Sequence, residues 1–125
     1  MKKLFLITLI LLFQSFPSYG EWKEVNSDSE GVYFIEVDTV RKNGDLIYFN
    51  ELNDFYGPSS TFDNSLSQIR RLVVNCKTKE IKQLRNIYYL NSMGKGKIVY
   101  EFNHPLSWSH FDKGSLTYSY YKFLC

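Results

Sequence analysis

Four places in this 125-residue sequence hold residue types that could do chemistry. The run Ser107-Trp108-Ser109-His110-Phe111-Asp112 contains the Ser, His and Asp of a hydrolase triad. Such a triad needs a nucleophile held on a sharp turn and donors for the oxyanion. No G-x-S-x-G pattern is present, and Ser109 and His110, adjacent on an extended backbone, point apart. The run therefore reads as non-catalytic, and the chain as not an enzyme. His104 and His110 are the only two histidines, and a zinc site would need a third or fourth ligand, so no metal is expected. Either histidine could ligate haem, but no local pattern supports it, and no cofactor is expected. Met93-Gly94-Lys95-Gly96-Lys97 has the glycines of an anion-cradling turn but not the spacing of a phosphate-binding loop. It reads as a hairpin loop.

The fourth place is basic. Lys77, Lys79, Lys82 and Arg85 surround a turn, with Arg70 and Arg71 near in sequence. They read in two ways: as an electrostatic contact for acidic protein segments or anionic polysaccharide, or as a solvated hairpin whose lysines discourage edge pairing. As candidate ligand contacts, these four residues are the choice. Aromatic groups supply a second kind of surface. Phe55, Tyr56 and Phe62, and the Tyr118/Tyr120/Tyr121 group, are types favoured at interfaces, though a thin domain also needs aromatics as core.

Residues 1–20 read as a signal peptide. Lys2 and Lys3 precede an apolar run from Leu4 to Phe13, and Ser18 and Gly20 are spaced for cleavage before Glu21. The run is too short for a spanning helix, which needs about 20 residues. Residues 21–125 then form one exported domain. The formal charge of +2 comes from 15 Lys and Arg against 13 Asp and Glu; removing Lys2 and Lys3 leaves the domain neutral. A nucleic-acid binder would carry a clear positive excess, so no nucleic-acid partner is expected. In an oxidising compartment two cysteines normally pair, and Cys76 and Cys125 allow one connectivity. The bond would close a loop of roughly 50 residues, worth about 4 kcal/mol by chain entropy. The other readings are two buried thiols, or a Cys125 that pairs with another chain.

The elements that must position these residues are mostly strands. Short runs rich in Tyr, Phe, Ile and Val are broken by Gly, Asn, Asp and Ser. EWKEV, GVYFIEV, DLIYFNEL, LSQIRRLVVNC, IKQLRNIYYL and KIVYEF read as six strands. RKNG reads as a turn, NDFYGPSSTFDNS as a long loop and NHPLSWSHFDKG as irregular. In the fourth strand Leu72, Val74 and Cys76 share one face, and Ile69, Arg71 and Val73 the other. The tail SLTYSYYKFLC has strand-forming residues but places Leu116, Tyr120 and Phe123 at helical spacing, with Leu124 beside them. Ser115 suits an N-cap and Lys122 a last turn. A helix is favoured over a seventh strand.

Taken in order, WKEV…GVYFIEVDTVRKNG, Ser67…Val73-Val74-Asn75-Cys76, Met93-Gly94-Lys95-Gly96 and Trp108-Ser109-His110-Phe111-Asp112-Lys113-Gly114-Ser115…Cys125 resemble the surface-adhesin protein E family of bacterial exported domains. The resemblance implies an α+β fold: a six-stranded antiparallel sheet with a C-terminal helix tethered to one face by a Cys76–Cys125 disulfide. It also implies adhesin-like binding of extracellular proteins such as vitronectin and laminin, with homodimers. The naming adhesin looks lipid-anchored, whereas no cysteine follows the apolar run here, so no stable membrane anchor is expected after cleavage. The expectation is an exported, non-catalytic module, periplasmic, secreted or at the cell surface. The alternative is a periplasmic accessory envelope protein that binds another bacterial component.

Overall fold

The computed structural model describes residues 21–125; the expected signal peptide lies outside the described residues. Eight strands form in chain order: β1 (Trp22–Ser27), β2 (Gly31–Glu36), β3 (Arg41–Asn43), β4 (Leu46–Ser59), β5 (Ser65–Asn75), β6 (Glu80–Tyr89), β7 (Ile98–Phe102) and β8 (Ser109–His110). One helix, α1 (Leu116–Leu124), follows. The main sheet is antiparallel with the order β1-β2-β4-β5-β6-β7, while β3 pairs with β4 and β8 with β6. The expected six-stranded sheet and C-terminal helix are thus both present, with two short accessory strands added.

The sheet has two unlike faces, set by the two-residue alternation of its strands. Tyr33, Ile35, Ile47, Phe49, Leu72 and Val74 form a buried cluster on one face, and Tyr120 of α1 is fully buried against it. Leu116, Tyr121 and Leu124 pack around that cluster. Phe123, expected in the helical stripe, instead remains 40% exposed with the Lys23 ammonium 5.5 Å from its ring. The helix starts as its sequence predicts: the Ser115 hydroxyl accepts a hydrogen bond from the Tyr118 N–H at 3.1 Å. It is held at the far end by the Cys76–Cys125 disulfide, whose Cα atoms lie 5.7 Å apart across a separation of 49 residues. Cys76 points to the Leu72/Val74 side, as the alternation requires.

Three local expectations are corrected by pairing. The long loop assigned to residues 53–65 is largely strand: β4 runs to Ser59, and Asn53 and Asp54 pair with both β2 and β5. Only the register break between Asp54 and Ser59 keeps the character of Gly57-Pro58, where the missing proline N–H is tolerated because the ladder is already interrupted. RKNG contributes a short strand as well as a turn, since Arg41–Asn43 pairs back onto Leu46–Tyr48 around Gly44 at φ 60°. In NHPLSWSHFDKG, Ser109–His110 pairs with Glu80–Ile81 of β6. At β2 the backbones approach so closely that a Cβ on Gly31 would sit 2.2 Å from the Asp54 carbonyl oxygen, so only glycine fits there.

The disulfide locks α1 onto the lower part of the sheet. Replacing Cys125 by Ser is expected to lower stability by about 2–4 kcal/mol in urea unfolding. Hydrogen exchange should show amides of α1 losing protection while those at the β4–β5 pairing keep theirs. Equal loss in both elements would contradict a local tether.

Candidate functional site

On the helix-bearing face, one cross-strand row runs Ile35–Glu51–Arg70–Asn86. Glu51 is fully buried, which an isolated carboxylate could not sustain. Arg70 meets it in a bidentate pair, Nε to Oε1 at 2.5 Å and Nη2 to Oε2 at 2.7 Å. The Tyr120 hydroxyl of α1 donates to Oε2 as well, and Arg70 reaches Gln83 Oε1 at 3.5 Å. Burial works against the charge on Arg70, but the Glu51 carboxylate more than offsets it and holds the guanidinium protonated beyond its usual range. Burial, and then the same carboxylate, pushes the Tyr120 phenol well above its ordinary value. Tyr33 is raised by burial and by its bond to Asp28 Oδ2 at 2.7 Å.

The four basic candidates are not brought together. Lys77 lies at the β5–β6 turn, where the Asn75 side chain accepts from the Lys77 and Thr78 N–H groups. Lys79, at φ 57° in the same turn, lies 5.8 Å from the Tyr121 ring on the helix side. Lys82 pairs with Val73 and Arg85 with Arg71, so both point to the face opposite the helix. Lys82 sits 5.7 Å from the Trp108 ring, and Arg85 forms an ion pair with Glu101 whose hydrogen bond holds the Glu101 carboxyl below the usual carboxylate range. Arg41 shares a row with Lys82 through Tyr48 and Val73. Arg71 stands in the adjoining row, bonded to Asn50 Oδ1 at 3.1 Å; burial and the nearby Arg41 charge both depress its proton affinity. The opposite face thus gathers Arg41, Arg71, Lys82 and Arg85.

Other candidates resolve into structural roles. The hairpin loop after β6 turns its backbone donors inward: the Met93 N–H binds Asp54 Oδ1 at 2.8 Å and the Gly94 N–H binds the Ser67 hydroxyl at 2.8 Å. The chain's own Asp54 fills the place an anion would take. Gly94, at φ 68°, lies where a Cβ would come within 2.6 Å of Ile69, which packs the loop onto the face opposite the helix. His110 Nε2 lies 3.8 Å from Glu80 Oε2, and Ser109 bonds the Ile81 carbonyl, so this pair serves the β6–β8 edge. Among the described residues no group of three His, Cys, Asp or Glu is placed to hold a metal, and no helix is long and apolar enough to cross a membrane.

Sequence reasoning missed the Glu51–Arg70–Tyr120 network. Its one signal was a charged pair on strands otherwise alternating toward an apolar face. Arg70 was grouped with the surface cations because a sequence does not show which strand lies beside it.

Comparison with known proteins matches residues 22–125 to the family model described as Surface-adhesin protein E. The fold is similar to that of Haemophilus influenzae protein E, with a TM-score of 0.63 at 14% identity over 86% of this chain and 84% of the other. A second structure, of protein E from non-typeable Haemophilus influenzae, gives 0.66 at 12% identity over 87% and 79%. A further crystal form of the Haemophilus influenzae protein gives 0.65 at 11% over 86% and 96%. Among curated proteins none is similar enough to match.

Replacing Arg70 by Ala leaves the Glu51 carboxylate buried with Tyr120 alone and is expected to cost about 3 kcal/mol in chemical unfolding. Above about pH 10 an unfolded chain releases its tyrosine protons while Tyr33 and Tyr120 in the folded chain still hold theirs. Their stabilisation is therefore complete below that pH and falls as pH rises further. In a pH series, Tyr120→Phe should be less stable at neutral pH and should decline less steeply in alkali.

Proposed function

Because the chain belongs to the Surface-adhesin protein E family, we propose that it is an exported, non-catalytic, adhesin-like module whose residues 21–125, freed of a signal peptide at 1–20, contact extracellular proteins. The observation that carries this reading is the cluster of Arg41, Arg71, Lys82 and Arg85 on one sheet face. The same face also holds Glu36, bonded by Asn50, and Glu101, paired with Arg85, so Lys82, Arg41 and Arg71 are the cations it offers to acidic segments of a partner. Lys82 and Arg85 supply the contact from the basic stretch; Lys77 stands at the turn beside them, and Lys79, over the Tyr121 ring, lies on the helix side. Arg71 is tied to Asn50 and acts as a fixed charge behind them.

Immobilised vitronectin and laminin are suitable probes by family resemblance. The Lys82→Ala/Arg85→Ala double variant is expected to bind at least one of them about tenfold more weakly, with a shallower dependence on salt. Lys77→Ala/Lys79→Ala should weaken binding less. Unchanged affinity in the first variant would remove the contact assignment. Cleavage by protease added to intact cells would support surface exposure, and full protection would place the protein inside the envelope.

A further inference from the structure

The helix covers only part of its face. Beyond Glu51 the next row runs Tyr33–Asn53–Gln68–Tyr88–Tyr100, and there α1 gives way to an open cavity of about 500 Å³, within the size range of small-molecule sites. Its floor is amide-bearing. Gln68 directs its NH₂ to Asn86 Oδ1 at 2.9 Å and to the Tyr88 hydroxyl at 3.2 Å, which leaves its Oε1 to accept. Asn53 is buried; its Oδ1 is turned away from the opening and has no hydrogen-bond partner among the described residues. The rim carries the Glu30 carboxylate and the hydroxyls of Ser29, Ser60 and Thr61.

The walls are aromatic. Phe62 stacks on Tyr88 with ring centroids 4.0 Å apart, and Tyr100 stacks on Phe102 at 4.8 Å beside them. Tyr88 is buried at the base, whereas Tyr56 on the wall is 64% exposed; Tyr100 and Phe102 lie outside the lining. No Lys, Arg or His lines the cavity, and no Leu, Ile, Val or Met. A carboxylate without a lining cation disfavours an anionic ligand, and the lack of aliphatic walls disfavours an acyl chain.

We propose that this cavity binds a neutral saccharide. The negative faces of the aromatic rings attract the C–H face of a pyranose, while Gln68 Oε1, the Asn53 NH₂ and the Glu30 carboxylate hydrogen-bond its hydroxyls. Hydroxyls, which both donate and accept, match a floor that mixes free acceptors with amide N–H groups. The site lies on the helix-bearing face and does not depend on the contact role of Lys82 and Arg85.

The test titrates the exported, ¹⁵N-labelled protein with a panel of neutral saccharides that includes N,N′-diacetylchitobiose, cellobiose, maltose and lactose. A proline decamer and a heparin disaccharide serve as competitors of other classes. At least one neutral saccharide should shift the Gln68 and Asn53 side-chain amide signals saturably. Gln68→Ala should weaken that binding at least tenfold and the exposed Tyr56→Ala severalfold, with Lys113→Ala unchanged. Should Gln68→Ala fail to fold, Tyr56→Ala decides. Overturning results are a panel that moves neither amide, binding indifferent to both variants, or shifts produced only by the proline decamer or the heparin disaccharide.

Discussion

A carboxylate buried in the middle of the sheet is the constraint from which the rest of this structure follows. Glu51 has no access to water, so its charge must be answered by neighbours. Arg70 answers it from the adjacent strand, and Tyr120 from the helix above. The second contact gives the helix a fixed position along the sheet, because apolar packing alone would tolerate sliding. Phe49 meets the same Tyr120 ring edge to face at 5.5 Å, so polar and apolar contacts agree on one seating.

The disulfide acts on the same helix from its other end. Nine residues of helix are too few to persist alone in water, and a short amphipathic segment gains from both a covalent tether and a polar anchor. Asn26 adds a third tie, donating to the Ser119 hydroxyl at 2.9 Å. Tyr120 and Cys125 hold α1 to the lower rows, while in the row beyond Glu51 Asn53 and Tyr88 are buried without it, Phe62 stacking on Tyr88. The polar and aromatic cavity opens between the 55–62 segment and the strand floor of Asn53, Gln68 and Tyr88.

The opposite face solves a different problem. Its upper part is covered by the loop after β6, whose backbone N–H groups are consumed by Asp54 and Ser67. Its lower part carries Arg41, Arg71 and Lys82 around Tyr48 and a buried Val73, with Thr39 bonded by Arg71 and Trp108 beside Lys82. Glu36 and Glu101 stand on the same face, so its cations are interleaved with carboxylates. Lys79, one turn away, belongs to the other side through Tyr121, which shows how a hairpin divides cations that are neighbours in sequence.

The alternation of Leu72, Val74 and Cys76 was readable from the sequence, as were the six main strands, the Ser115 cap and the pairing of the cysteines. Each follows from local rules: two-residue periodicity, a cap residue before a helical stripe, and one available connectivity. Composition misjudged residues 53–59, since Asn53 and Asp54 look like loop residues until β2 and β5 flank them and supply partners for their backbone groups. It also misjudged Phe123, whose spacing fitted the stripe although the disulfide and Tyr120 turn Tyr121 inward instead. Cross-strand neighbours decided what remained. Which cation meets Glu51, which cations share a face, and which amides floor an open cavity are matters of register between distant segments, and register is fixed only when the whole sheet pairs.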